Sequence, residues 1–267
     1  MRMFLCTFLL VMSSAQGQVS ARDDYGNQVV LAAPARRIVS LAPHLTELLY
    51  AAGAGSRVVG AVDYSDFPPQ ARSLPRVGGD AGIDLEAVLA LRPDLVVAWP
   101  NAGSLRAVNR LAQLGIPTFR SEPRELEDIA LTIERLSALA GTSSDAADAF
   151  RKRVADLAQR YSGRSPVRVF YQVWDRPLVT VNGAHVISKV IRLCGGENVF
   201  AGLPLIAPEI DREALLRARP EVIVSSVEGA RAPAYFIPGE LIQRHTPRLL
   251  EGAARLCEIL EAVRMAR

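Results

Sequence analysis

Only three cysteines and three histidines occur in 267 residues, no polybasic run is present, and the one long uncharged apolar run, Phe4 to Met12, is nine residues. Each scarcity excludes something. Nine apolar residues fall short of the roughly 20 that a bilayer-crossing helix needs. The 31 basic and 28 acidic residues are interspersed, and their small surplus of +3 points to neither nucleic acid nor anionic lipid as a partner. No G-x-S-x-G elbow, P-loop, H-E-x-x-H or C-x-x-C is present, so the enzyme signatures are largely absent. Gly53-Ala-Gly55 is followed by Val58 where a dinucleotide loop wants its third glycine, and it follows a helical pattern instead of a strand. A helix C-cap explains it better.

What is there begins with a composition, 49% hydrophobic and 22% charged, that can bury a core. Arg2, the Phe4–Met12 run and the small residues from Ser13 to Gly17 have the order of a secretory leader, expected over residues 1–21, with the mature chain starting between Gln18 and Arg22. Cys6 leaves with it. Cys194 and Cys257 then remain in an oxidising compartment, where an even count favours a bridge over the alternative of two independent buried thiols.

Short β-rich apolar runs alternate with helical patterns: strands at 37–41, 58–62, 95–99 and 116–119, with helices at 44–52, 85–91 and 105–114. Continuous apolar strands are those buried on both faces of a parallel sheet. Thr142 opens a long amphipathic helix, with Ala147, Phe150, Val154, Leu157 and Tyr161 on one stripe, ending at Gly163. The alternation then restarts with a strand at 167–173, helices at 186–194 and 214–218, a strand at 222–225 and a closing helix from Pro247 to about Ala262. The segment from Asp84 to Ala98 aligns without gaps on that from Asp211 to Ser225, with seven identities in fifteen. Each copy reads as an Asp N-cap, a short helix, an Arg-Pro stop and a buried strand. The expected fold is therefore α/β: two Rossmann-like lobes with mostly parallel sheets (22–141 and 164–267), joined by one long helix (142–163), with a cleft where strand ends face each other.

Trp99 and Trp174 both end strands that should point into that cleft, and Asp63 to Pro69 follows another. Large aromatic faces separated by a few polar groups suit a bulky planar ligand. Capping of the two cores is the bland alternative for the tryptophans. His44, His185 and His245 could in principle form a zinc or manganese site, but their spacing carries no motif, and satisfied surface or cleft histidines are the simpler reading. Glu86 and Glu213 hold equivalent places near two helix starts, where the macrodipole favours a carboxylate; a symmetric docking surface is a second role for them.

Arg37 to Glu47, Tyr64 to Ala71, Leu85-Glu86 through Trp99, Cys194 to Phe200, and Thr246-Pro-Arg with Cys257 near the end resemble the periplasmic solute-binding family that serves ABC importers of cobalamin, iron-siderophores and haem, its cobalamin branch most. The resemblance runs from about residue 36 to the C-terminus. It implies a periplasmic, non-enzymatic carrier, monomeric when free, with two lobes on a rigid helix and little hinge motion. It also implies contacts to cobalamin or another corrinoid from Tyr64, Trp99 and His44, permease docking through Glu86 and Glu213, and a Cys194–Cys257 disulfide. Trp174 would add aromatic contact, while His44, Asp80, Arg244 and His245 could satisfy amide or phosphate groups on the ligand's rim. No cofactor or bound metal ion is expected. A siderophore or haem carrier is the alternative within the family; a sensor or interaction protein, or a metal-site enzyme, is the alternative outside it.

Two departures from the family pattern stand out. Gly78-Gly-Asp-Ala-Gly82 replaces a segment where cobalamin binders can place a cleft tryptophan, and the matching second-lobe position near Ala207 is not aromatic either. Tyr235-Phe236-Ile237, the expected next strand, follows Val222–Ser225 within nine residues, too few for a usual parallel crossover. The second lobe is expected to be shortened near 226–234.

Overall fold

The computed structural model describes residues 17–79, 81–101, 103–230 and 234–267; the apolar leader run and Asp80 lie outside the described residues. The chain opens with a hairpin, β1 (Val19–Arg22) and β2 (Gln28–Leu31), turned by Asp23, whose carboxylate accepts the backbone N–H groups of Tyr25 and Asn27 at 3.0 and 2.7 Å. The expected leader boundary at residue 21 falls inside this ladder, because Val19, Ser20 and Ala21 pair with Leu31, Val30 and Val29.

The first lobe follows: β3 (Ile38–Ser40), α1 (Pro43–Ala51), β4 (Val58–Ala61), a small ribbon of β5 (Gly78–Gly79) and β6 (Gly82–Ile83), α2 (Leu85–Ala90), β7 (Leu95–Ala98), α3 (Leu105–Gln113) and β8 (Thr118–Arg120). Its sheet runs β4-β3-β7-β8, all parallel. α4 (Leu126–Ala140) was not singled out by the hydropathy alternation. Its start is a capping box, with the Glu125 and Asp128 side chains each bound to the other's backbone N–H, and it stops at Gly141 in the left-handed region. The expected long helix forms as α5 (Asp145–Tyr161), about 25 Å by its rise per residue. It packs on α4 and, in the second half, on α6 (Val186–Leu193) and α9 (Leu249–Met265).

The second lobe repeats the first. β9 (Val167–Gln172), α6, β10 (Gly196–Asn198), α7 (Arg212–Ala218), β11 (Val222–Ser225) and β12 (Ala234–Phe236) give a parallel sheet ordered β10-β9-β11-β12, followed by α8 (Gly239–Ile242) and α9. The internal repeat maps α2-β7 onto α7-β11. Asp84 and Asp211 cap the two helices by accepting from the N–H groups of Ala87 and Ala214 at 3.0 and 2.6 Å, each worth about 1 kcal/mol. Arg92 and Arg219, before the two prolines, both turn out at positive φ, 43° and 44°.

The copies differ after the shared strand. Residues 99–117, with α3, lead from β7 to β8, whereas β11 reaches its parallel neighbour β12 across residues 226–233 with no helix assigned among the described ones. In the first lobe Val88 of α2 and Val108 and Leu111 of α3 seal one face of the sheet. The corresponding face of the second carries α7 and leaves a hollow of about 330 Å³ lined by Phe170, Leu178, Leu215, Leu216, Ile223 and Arg212, with Gln172 and Asp175 at its edge. The other faces of both sheets share one continuous core, in which Leu45, Leu48, Ile133, Phe150, Ile191 and Leu256 are buried together. Cys194, at the end of α6, is joined by a disulfide to Cys257 on α9.

Candidate functional site

In both lobes the parallel strands deliver their carboxyl ends to helix N-termini, the place where open α/β sheets bind ligands. α1 follows β3 and carries His44 as its second residue; α6 follows β9 and has His185 as its N-cap. His245 comes from the loop between α8 and α9. The His44 and His245 rings lie 6.3 Å apart and those of His185 and His245 6.5 Å, while the indole of Trp99, just beyond β7, meets His44 edge-on at 5.6 Å and 77°. The three histidines of the chain thus form one cluster bridging the lobes, although nothing in their spacing announced it.

All three are neutral near pH 7. Burial, reinforced by His245 and Arg244, depresses His44 to about 3; burial and His245 depress His185 to about 4; burial also lowers His245, against the opposing charge of Asp128. Nδ1 of His185 accepts the Ile187 backbone N–H at 3.2 Å, so its proton sits on Nε2 and points a donor outward. The His44 and His245 rings make no hydrogen bond among the described residues, and none of their nitrogens is sealed from solvent without a partner. No group of three His, Cys, Asp or Glu side chains among the described residues is placed to hold a metal ion.

Beside the cluster lies an ionic clasp between the lobes. Arg248 donates from Nε and Nη2 to the two carboxylate oxygens of Glu47, both at 3.0 Å, and Arg244 Nη1 donates to Glu47 Oε1 at 2.9 Å. Arg244 also reaches Asp66 Oδ1 at 2.8 Å and the Tyr64 carbonyl at 3.3 Å, and Arg248 lies 3.9 Å over the Phe67 ring. Two second-lobe arginines therefore fasten the first-lobe loop that carries Tyr64. Burial opposes ionisation of Asp66, but its hydrogen bond to Arg244 and that arginine's charge hold it below the usual carboxylate range. Arg244, expected at the ligand's rim, has its guanidinium committed to this clasp. Glu47 and Arg248 went unassigned in the sequence; the available signal was a carboxylate among the apolar residues of α1, where Leu45, Leu48 and Leu49 are all buried.

Tyr64, at φ 60°, is 67% exposed, Trp99 40% and Trp174 60%, which leaves aromatic surface open at the strand ends of each lobe. Trp174 uses its indole N–H locally, on the Arg176 carbonyl at 3.1 Å. Glu86 and Glu213 occupy equivalent first-turn positions on α2 and α7, both exposed; Glu213 receives an intrahelical hydrogen bond from Arg217 at 2.6 Å.

The model of a family described as periplasmic binding protein matches residues 38–237. A vitamin B12-binding protein of Vibrio cholerae is 35% identical, the match covering 97% of each chain, and one from Yersinia pestis is 36% identical, covering 86% of this chain and 88% of that protein. The crystal structure of the periplasmic vitamin B12 binding protein of Vibrio cholerae superposes with a TM-score of 0.80 at 36% identity, over 86% of this chain and 98% of that one. A periplasmic heme-binding protein from Roseiflexus sp. RS-1 reaches 0.71 at 22% identity, over 86% and 99%, a likeness of fold.

Proposed function

Because the chain belongs to the periplasmic binding protein family, we propose that it captures cobalamin or a related corrinoid between its lobes and hands it to an ABC permease of the inner membrane. One observation carries the reading: the likeness to a vitamin B12-binding protein extends over 97% of both chains, so it includes both lobes and everything between them. The geometry agrees with it. Tyr64 and Trp99 offer aromatic faces in one lobe and Trp174 in the other, a half-buried imidazole cluster beside Trp99 joins the lobes, and the clasp through Glu47 favours a site prepared for a rigid, bulky guest over one that closes around it.

Glu86 and Glu213 are the proposed docking points for the permease, one from each lobe, with the ligand held between them. The leader is proposed to be cut before Val19, since a later cut would remove members of the β1–β2 ladder. Isothermal titration of the purified protein with cyanocobalamin tests the central reading, with haem and a ferric siderophore as competitors. Saturable cyanocobalamin binding at micromolar concentration or below is expected; no heat with cyanocobalamin, or tighter binding of haem, overturns it.

A further inference from the structure

We propose that His44 ligates the metal at the centre of the bound corrinoid, replacing a water molecule on one of its axial faces. The inference rests on the corrinoid reading above and adds a chemical role to a residue of that site. Four observations lead to it. His44 carries a lone pair that no protein group uses, since its ring makes no hydrogen bond among the described residues and neither of its nitrogens is sealed from solvent. The ring stands 77° from the plane of Trp99, so a flat guest stacked on that indole would meet the imidazole almost upright, the attitude of an axial ligand. His185 is excluded from the role, because its Nδ1 lone pair is taken by the Ile187 N–H. A bare ion is a poor alternative. Two imidazoles on one tetrahedral ion at metal–nitrogen distances of about 2.0–2.1 Å would place ring centroids about 5 Å apart, and here the separations are 6.3 and 6.5 Å. The cluster is built to complete a coordination sphere that the guest brings with it.

The step is a ligand substitution. The cobalt–water bond breaks, the neutral imidazole nitrogen donates its lone pair to form a cobalt–nitrogen bond, water leaves, and neither the oxidation state of the metal nor the proton count changes. His245, with its ring beside His44, then borders the exchanged face, and the Nε2–H of His185 provides a donor nearby.

Visible absorption separates this inference from the function it rests on. Aquocobalamin and aquocobinamide are each titrated with the protein, beside cyanocobalamin as the control whose cyanide holds its axial position, and the bound spectra are compared with those of the same corrinoids in free imidazole. The expected result is that both aquo forms take on the imidazole-adduct spectrum, that His44→Ala, at protein concentrations where calorimetry shows the corrinoid bound, gives a bound spectrum without this shift, and that His185→Ala under the same condition gives a bound spectrum with it. Binding of the aquo forms without a shift, or a shift that survives in His44→Ala, overturns the inference and leaves the proposed function standing. Absence of any binding heat, cyanocobalamin included, removes both.

Discussion

Arg248 and Glu47 stand 201 residues apart in the chain and meet through two parallel hydrogen bonds of 3.0 Å, one to each carboxylate oxygen, with the Glu47 side chain only 2% exposed. A forked guanidinium on a carboxylate fixes relative orientation as well as distance. Because Glu47 lies on a helix of the first lobe and Arg248 at the start of a helix of the second, the pair opposes rotation of one lobe against the other.

Removing Glu47 would leave two half-buried arginines facing each other without their shared counter-charge. Breaking such a pair from one side costs about 3–5 kcal/mol, a large share of a typical folding stability of about 5–15 kcal/mol. Glu47→Ala is expected to lower the urea midpoint correspondingly and to loosen the loop carrying Tyr64, read as faster amide exchange at residues 63–67. An unchanged midpoint would mean that the clasp contributes nothing net.

Acid should weaken the fold through its histidines before its carboxylates. In the unfolded chain imidazoles protonate near 6.5, whereas His44 and His185 in the folded protein do so at about 3 and about 4. Between these limits the unfolded state binds more protons, so stability is complete above pH 6.5 and falls as the pH drops toward 4. Asp66 and Glu134, held ionised mainly through arginine hydrogen bonds, act in the same direction, but only once their unfolded values of 3.8 and 4.5 are approached. The interval from pH 6.5 to 5 therefore isolates the imidazoles. Urea midpoints measured across it should decline with acidification, and His44→Gln should flatten the slope; a flat wild-type profile would contradict the neutral cluster.

The disulfide predicts a different response. Cys194 and Cys257 close 63 residues of chain and tie α6 to α9, two helices that build the shared core. Chain entropy assigns such a loop roughly 4 kcal/mol. Reduction, or Cys194→Ala with Cys257→Ala, should lower the thermal midpoint by several degrees while cyanocobalamin binding persists at 25 °C, because neither sulfur borders the cleft. Differential scanning calorimetry with and without reductant would measure it.

These features were unequally legible in the sequence. β7 and β11 could be read because all, or nearly all, of their residues are apolar and buried, and the helix stops at Gly53, Gly115 and Gly141 because each takes a positive φ. The short route from β11 to β12 followed from counting residues against what a parallel crossover needs. α4 was passed over although it was legible: Glu125 and Asp128 form its capping box, and Ile129, Ile133, Leu136 and Ala140 recur at helical spacing on its buried face. The clasp and the histidine cluster were illegible for a stronger reason. His44, His185 and His245 lie 141 and 60 residues apart; the fold of the second lobe brings the last two together, and only the packing of the first lobe against it adds His44.

Transport provides the remaining prediction. Glu86 and Glu213 lie on equivalent turns of α2 and α7, so the proposed docking contact has one acidic group on each lobe. Such a contact would read lobe spacing, and the clasp at Glu47 opposes a change in it. Glu213 already pairs with Arg217, but an exposed pair of this kind holds by at most about 1 kcal/mol, and a permease arginine could displace Arg217 readily. Glu86→Ala combined with Glu213→Ala should therefore abolish uptake of labelled cobalamin in cells while calorimetric affinity in the purified protein stays unchanged, and Arg217→Ala should leave uptake intact. If the double variant still supports uptake, the docking assignment falls; if Arg217→Ala alone abolishes it, the permease recognises the ion pair instead of the free carboxylate.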